Sequence, residues 1–147
     1  MKVPRVKVQM TNSHRSLRPN LKRLESSLYR LSPLCRSCKD RIDVILTDDA
    51  CIKDLAGEFR GSPRATDVLA FYYGEDKFTQ GIAPIGEIVV SLDTAKKQAA
   101  ERKVSFHQEV LLLILHGLLH IGGQGDENVR DWCEMRKSEF ELLMRAL

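Results

Sequence analysis

The sequence predicts an α+β fold, a single domain in which a small mixed four-stranded sheet packs against helices. Segments that alternate like strands and segments with helical spacing follow each other from the N-terminus, and helices then succeed one another. A length of 147 residues is typical of one domain, and no segment resembles an interdomain linker. Residues 1–147 are therefore predicted to fold as one unit.

The first two strands are each followed by a helix. Val3 to Met10 alternates apolar and polar residues, as a strand does, and Ile42 to Thr47 predicts the second strand. Between them, four leucines recur at helical spacing over Asn20 to Leu31, and Pro33 ends that helix. A second helix is predicted from about Asp49 to Phe59.

Two further strands surround a polar connection. The Gly and Pro residues in Arg60 to Arg64 predict a loop. Asp67 to Tyr73 predicts a third strand because it is rich in Val, Leu, Phe and Tyr. Gly74 to Pro84 is a polar connection, and Gly86 to Leu92 predicts the fourth strand.

The remainder of the chain is predicted to be helical. Asp93 and Thr94 suit the start of a helix over Ala95 to Arg102. A second, more apolar helix is predicted from Ser105 or Phe106 through Ile121, where glycines end it. Helical spacing returns from about Asn128 to Ala146.

Composition excludes a membrane-spanning segment and indicates a basic N-terminal region. The longest apolar run, Val110 to Leu115, is far too short to cross a bilayer, and the N-terminus does not read as a signal peptide, so we expect a cytoplasmic protein. The net charge of +3 is unevenly distributed, since residues 1–41 hold eleven Lys and Arg against two acidic residues. This basic region suits an anionic polymer, although a solvated basic face fits equally well.

Four cysteines include one CxxC pair, Cys35 and Cys38. No second close pair completes a zinc-ribbon pattern, and a redox pair would be expected at the start of a helix. The pair follows a predicted helix instead, which favours reduced structural thiols over a metal or redox role.

The most informative segment is residues 116–126, with the pattern HxxxHxxGxxD. His116 and His120 are four residues apart, so on a helix their rings lie on one face and can bind the same ion. Gly123 allows the chain to turn, and Asp126 would then add a carboxylate. Three protein ligands with an open fourth position are typical of a catalytic metal site, most commonly of zinc.

The other histidines fit this pattern less well. A histidine on an apolar helix is often only a core residue, but two with the correct spacing, a glycine and an acid indicate a metal site. His107 lies on the opposite side of a continuous helix from His116, so we do not expect it to be a ligand. His14 lies in a polar loop without a recognisable partner.

Gly117 determines the expected reaction class. In the peptidase motif HExxH, a glutamate at this position is the general base. Gly117 cannot transfer a proton, which argues against peptide hydrolysis. For a phosphodiester, an arginine is the natural partner of the metal because its planar group matches phosphate oxygens.

Several blocks of the chain resemble the YbeY family of bacterial endoribonucleases and ribosomal RNA maturation factors. Residues 116–123, HGLLHIGG, resemble the family signature HGxLHLxGYDH. Residues 66–71, TDVLAF, resemble its TDVLSF block, and residues 86–92, GEIVVSL, resemble its GDIVIS strand. Arg60 matches the family's loop arginine. The resemblance covers roughly residues 40 to 147 in the expected order.

The resemblance implies a metal-dependent endoribonuclease that cuts single-stranded RNA in ribosomal RNA (16S) maturation and ribosome quality control. RNA and the ribosome or a ribosomal subunit would be its partners. His116, His120 and Asp126 would hold one divalent ion, and Arg60 would contact the scissile phosphate as the catalytic arginine.

The chain departs from the family at the third ligand, where Asp126 stands in place of a histidine. A carboxylate can bind zinc, but it also accommodates manganese or iron. Glu127 would need a one-residue shift to replace Asp126. The departure leaves open a non-catalytic, RNA-binding ribosome-assembly factor with a structural or weakened metal site.

Overall fold

A computed structural model describes residues 6–30, 34–61, 66–74 and 82–122 together with residue 137. In chain order the elements are β1 (Lys7–Asn12), α1 (Leu21–Tyr29), β2 (Arg41–Thr47), α2 (Asp49–Arg60), β3 (Val68–Tyr72), β4 (Gly86–Ser91), α3 (Leu92–Arg102) and α4 (Phe106–Ile121). The predicted α+β class is confirmed.

The four strands form one mixed sheet in the order β1-β2-β4-β3. β1 runs parallel to β2, and β2 runs parallel to β4. β3 is antiparallel to β4, with Ala70 opposite Ile88 and Tyr72 opposite Gly86. Among the described strands, β3 therefore ends the sheet on the side away from β1.

The two faces of the sheet carry separate apolar clusters. On one face, buried residues that include Val44, Ile88 and Val90 pack with α1 and α4 in the larger cluster. On the other face, Leu69 and Val89 pack with α2 in a smaller cluster. Because strand side chains alternate between faces, residues 68, 70 and 72 of β3 share the face of α4.

Side chains cap the four helices at their N-termini. The caps are Asn20, Asp48, Ser91 and Ser105, each of which accepts a hydrogen bond from a backbone N–H in the first turn. Ser105 forms a full capping box, since its hydroxyl accepts from the Gln108 N–H while the Gln108 side chain accepts from the Ser105 N–H. This box holds the start of α4 in place.

Several element boundaries differ from the predicted ones. β1 continues to Asn12 because Thr11 and Asn12 still pair with β2. α3 begins at Leu92, three residues early, because Ser91 already caps it. α2 continues to Arg60 because Gly61, at φ 67°, supplies the left-handed residue that ends a helix. The prediction of Arg60 as a loop residue was therefore wrong.

Of the predicted C-terminal helix over residues 128–146, only Lys137 is described, and it is helical; the remaining residues of that segment lie outside the described ones, as do residues 3–5 of the predicted first strand. Within the described ranges, no helix alone is long and apolar enough to span a membrane. α3 and α4 pass that test only together, and a bend of 116° separates them.

Candidate metal centre

The last two turns of α4 bring His116 and His120 together. Their Nε2 atoms are 2.9 Å apart, and their rings meet edge to face with centroids 4.5 Å apart. Both side chains are half-buried, so each ring remains partly accessible to solvent. The predicted convergence of the two rings is confirmed.

The pair has the dimensions of two ligands of one metal ion. Zn–N bonds are about 2.0–2.1 Å long, so two nitrogens on one tetrahedral zinc ion lie about 3.3 Å apart. The observed Nε2 atoms would need to separate by only a few tenths of an ångström. Among the described residues, no third His, Cys, Asp or Glu completes a metal-binding group. A third protein ligand would therefore lie outside the described residues.

Asp126, the predicted third ligand, lies outside the described residues, and so does its alternative Glu127. The segment containing both follows directly on Gly122, which caps α4 next to His120. The full ligand set of His116, His120 and Asp126 therefore stays a prediction, with two of its three members brought together.

A cavity of about 170 Å³ opens beside the two histidines. It lies between α4 and the terminal strand β3. Its lining consists of Thr66, Asp67, Val68, Ala70, His116, Gly117 and His120. The TDVLAF block and the histidine motif, fifty residues apart in the chain, thus form opposite walls of one site.

Asp67 is a member of this site that the sequence reasoning missed. Its carboxylate accepts a hydrogen bond from Gln98 Nε2 at 3.2 Å, and its carbonyl accepts one from the Ser91 N–H at 2.9 Å. Asp67 thus fixes the start of β3 against α3 and lines the cavity. The TDVLAF resemblance was the available signal, but it assigned no role at the site to Asp67.

The packing around Gly117 explains why no general base stands there. A Cβ atom at this position would lie 2.7 Å from Cγ2 of Ile88 and 3.0 Å from its Cγ1. Real Cβ atoms do not approach so closely, so α4 can rest on β4 only if residue 117 has no side chain. A glutamate would push the helix away from the sheet, which strengthens the argument against a peptidase.

Arg60 ends α2 on the opposite face of the sheet from the histidines. The preceding residue, Phe59, packs edge to face on Phe71 of β3 with ring centroids 5.3 Å apart. The structure does not describe the Arg60 side chain. Phe59 thus contacts β3, the strand whose other face lines the cavity. A role for Arg60 at the phosphate stays a prediction.

The other two histidines, His107 and His14, do not line the cavity. Burial, followed by the nearby charge of Arg23, lowers the pKa of His107. His14 is buried and does have a partner, since its Nε2 lies 2.8 Å from Oδ1 of Asp93. The expectation that His14 lacks a partner was wrong because Asp93 is 79 residues away in the chain.

The His14 contact belongs to a network that joins the loop after β1 to the starts of α2 and α3. The backbone N–H groups of Ser16 and Leu17 donate to Nδ1 of His14, so Nδ1 carries no proton and the Nε2–H donates to Asp93. Oδ2 of Asp93 accepts from the Asp49 N–H at 3.0 Å. This bond, followed by that from His14, lowers the pKa of Asp93. The network is structural and anchors the start of α3.

The CxxC pair lies in a turn between α1 and β2. The Cys38 N–H donates to the Cys35 carbonyl at 3.3 Å, and Sγ of Cys35 lies 3.2 Å from the Ser37 hydroxyl. Hydrogen bonding, first from the Ser37 side chain and then from Cys38, lowers the pKa of Cys35 to about 7. Neither thiol forms a disulfide.

The chain is similar to curated proteins along most of its length. The family model described as Endoribonuclease YbeY matches residues 7–146. A protein of that name from Nautilia profundicola is 42% identical over 122 residues, covering 82% of this chain and 84% of the relative. Another, from Thermus thermophilus, is 35% identical over 139 residues, covering 92% and 98%. The match thus extends beyond residues 40–147 and includes β1 and α1.

A solved structure shows a similar fold. The solution structure of TM1509 from Thermotoga maritima aligns with a TM-score of 0.60 and 25% sequence identity, covering 97% of this chain and 87% of that chain. The similarity spans both faces of the sheet and the helix that carries the two histidines.

Proposed function

Since this chain belongs to the YbeY family, we propose that it is an endoribonuclease that hydrolyses phosphodiester bonds of single-stranded RNA with the help of one divalent metal ion. The observation that carries the proposal is the meeting of His116 and His120 Nε2 atoms at the wall of an open cavity. Relatives over nearly the whole chain are named as endoribonucleases.

In this proposal His116, His120 and Asp126 hold the ion. Zinc suits two imidazoles and a carboxylate, and manganese or iron are alternatives because a carboxylate is a harder ligand than a third imidazole. The ion would supply Lewis acidity, which acidifies a water molecule and stabilises negative charge on the phosphate. The helix fixes the two imidazoles, and Gly117 contributes no base.

Arg60 is proposed as the catalytic arginine that contacts the scissile phosphate. A guanidinium group matches two phosphate oxygens at once and stabilises the charge that develops during hydrolysis. It would reach the cavity around β3, the terminal strand of the sheet. The cavity would then receive the phosphate between α4 and β3.

The cellular role proposed is ribosomal RNA (16S) maturation and ribosome quality control in the cytoplasm, with RNA and the ribosome as partners. The exposed basic residues of the N-terminal region support it, because they offer contacts to an RNA backbone without sequence preference. A second candidate is a ribosome-assembly factor that binds RNA without cutting it. It is favoured by Asp126, which stands where the family has a histidine.

Metal content and RNA cleavage test the proposal together. Wild-type protein should contain about one divalent ion per chain and cut single-stranded RNA. In His120→Ala both metal content and cleavage should collapse. His107→Ala is the matched control, because His107 is half-buried on the same helix and does not line the cavity. Full metal content in His120→Ala would show that the ligands lie elsewhere.

The substitutions at residue 126 separate the two candidate functions. Asp126→Ala should weaken metal binding sharply and abolish cleavage, because only two protein ligands remain. Asp126→His should keep metal binding and favour zinc, since imidazole is the softer ligand. The assembly-factor candidate instead predicts no cleavage in the wild type and unchanged ribosome association in both variants. Equal metal affinity of wild type and Asp126→Ala would remove Asp126 from the site and direct attention to Glu127.

A further inference from the structure

The floor of the cavity continues along β3 beyond the residues that line it. Val68 and Ala70 line the cavity, and they share one face of the strand. Tyr72 is the next residue on that face, about 6.8 Å farther along an antiparallel strand. The strand thus leads from the histidines to an aromatic side chain.

Contacts around Gly86 fix the position of Tyr72 relative to α4. Gly86 is the strand partner of Tyr72. A Cβ atom on Gly86 would lie 3.1 Å from Cδ1 of Ile121, the residue that follows His120. Tyr72 therefore stands beside the end of the helix that carries the candidate metal ligands, on the same face of the sheet.

Tyr72 is a large side chain left open to solvent at this position, with 57% of its surface exposed. The next residue, Tyr73, is equally exposed at 59% but belongs to the other face of the sheet. Its hydroxyl interacts with Glu87, and burial followed by that carboxylate raises the pKa of Tyr73. Glu87 is opposite Phe71, which packs on α2. Of these two adjacent tyrosines, Tyr72 lies on the face of the sheet that lines the cavity, and Tyr73 lies on the opposite face.

We infer that the Tyr72 ring is a stacking platform for one base of the single-stranded RNA whose phosphate enters the cavity, an inference that rests on the proposed function. Unpaired bases are commonly held by stacking on aromatic side chains, which tolerates any base because each has a π face. The site would bind a nucleotide next to the scissile phosphate and would keep the strand extended along β3.

Base removal combined with mutation tests the inference. The probe is a single-stranded adenosine decamer, together with decamers that lack one base at successive positions, and its binding is followed by fluorescence anisotropy. Tyr72→Ala should weaken binding of the intact decamer about 5- to 150-fold, the usual range for one stacked base. Tyr72→Phe should bind like the wild type, since it keeps the ring. Tyr73→Ala should also bind like the wild type.

The decisive result is the coupling between the two changes. Loss of one particular base should weaken binding to the wild type but should have no further effect in Tyr72→Ala, because the same contact has already been removed. Additive effects of base removal and Tyr72→Ala, or equal losses in Tyr72→Ala and Tyr73→Ala, would overturn the inference. If binding shows this coupling but the wild-type protein does not cut RNA, the proposed function is contradicted. The stacking site would then still be supported.

Discussion

At the scale of single residues, Gly117 sets how closely α4 approaches the sheet. The atoms of Ile88 occupy the space that a side chain at residue 117 would need. The imidazoles on either side of this glycine in the motif are thereby held at the cavity wall. The absence of a Cβ atom at residue 117 thus allows the close contact between α4 and β4.

Gly117→Ala should lower the stability of the protein although alanine is the better helix former. Alanine gains about 1 kcal/mol over glycine in a helix, whereas overpacking a close contact costs about 1–3 kcal/mol. Denaturant unfolding measures the difference. In an Ile88→Ala background the same substitution should cost less, because the clashing atoms are gone. Equal costs in both backgrounds would contradict the close packing described here.

Arg60 should matter for turnover far more than for stability. Arg60→Ala changes the last residue of α2, next to the exposed Gly61, so we expect thermal unfolding near the wild-type temperature. Loss of a group that stabilises transition-state charge typically slows a reaction by about 10²–10³-fold. Lys53→Ala, an exposed residue of the same helix, is the matched control in the RNA cleavage assay. Wild-type cleavage by Arg60→Ala would remove Arg60 from the site.

At the scale of elements, α4 depends on its capping box. Ser105→Ala should lower the free energy of unfolding by about 0.5–2 kcal/mol, because the Gln108 N–H loses its partner. Thermal unfolding measures this loss. Ser26→Ala, at an exposed position within α1, should change stability little. If the two variants unfold at the same temperature, the cap contributes nothing to α4.

Local patterns predicted the elements well, and caps account for most differences in their bounds. α4 began and ended where expected, because Ser105 and the glycines after Ile121 are strong local signals. α3 began early because Ser91 was read as strand and not as a cap. The order β1-β2-β4-β3 could not be predicted from the sequence, because alternation within a strand does not identify its neighbours.

The candidate site, too, could be predicted only where neighbouring residues of one element form it. The meeting of His116 and His120 could be predicted because both residues lie on one helix. Asp67 and Tyr72 could not be placed beside them, since their position follows from the pairing of β3 with β4 and from the packing of α4 on that pair. The partner of His14 was missed because Asp93 lies 79 residues away in the chain.

At the scale of the whole molecule, the uneven charge predicts how RNA binding responds to salt. Lys22 and Lys39 are exposed in the basic N-terminal region, whereas Lys53 and Lys97 are exposed in the remainder of the chain. If the N-terminal region contacts phosphates, replacing the first pair by alanine should flatten the dependence of RNA affinity on salt by about 0.7 per lost contact.

Replacing Lys53 and Lys97 by alanine removes the same net charge and serves as the control. Anisotropy titrations of an RNA decamer at several salt concentrations give the slope for each protein. Equal slopes for the two double variants would show that the basic region is only a solvated face.

The terminal position of β3 has a consequence for motion. One wall of the cavity is α4, whose side chains are largely buried in the main cluster. The other wall, β3, pairs with a single neighbouring strand in the part of the chain that the structure describes. Local opening requires less free energy where fewer contacts must break, so amide hydrogens of β3 should exchange with solvent faster than those of β4 and α4. Equal protection of β3 and β4 in a hydrogen-exchange experiment would contradict this. If β3 exchanges faster, the histidines stand on the more rigid wall of the cavity, and the opposite wall can move to admit RNA strands of different sequence.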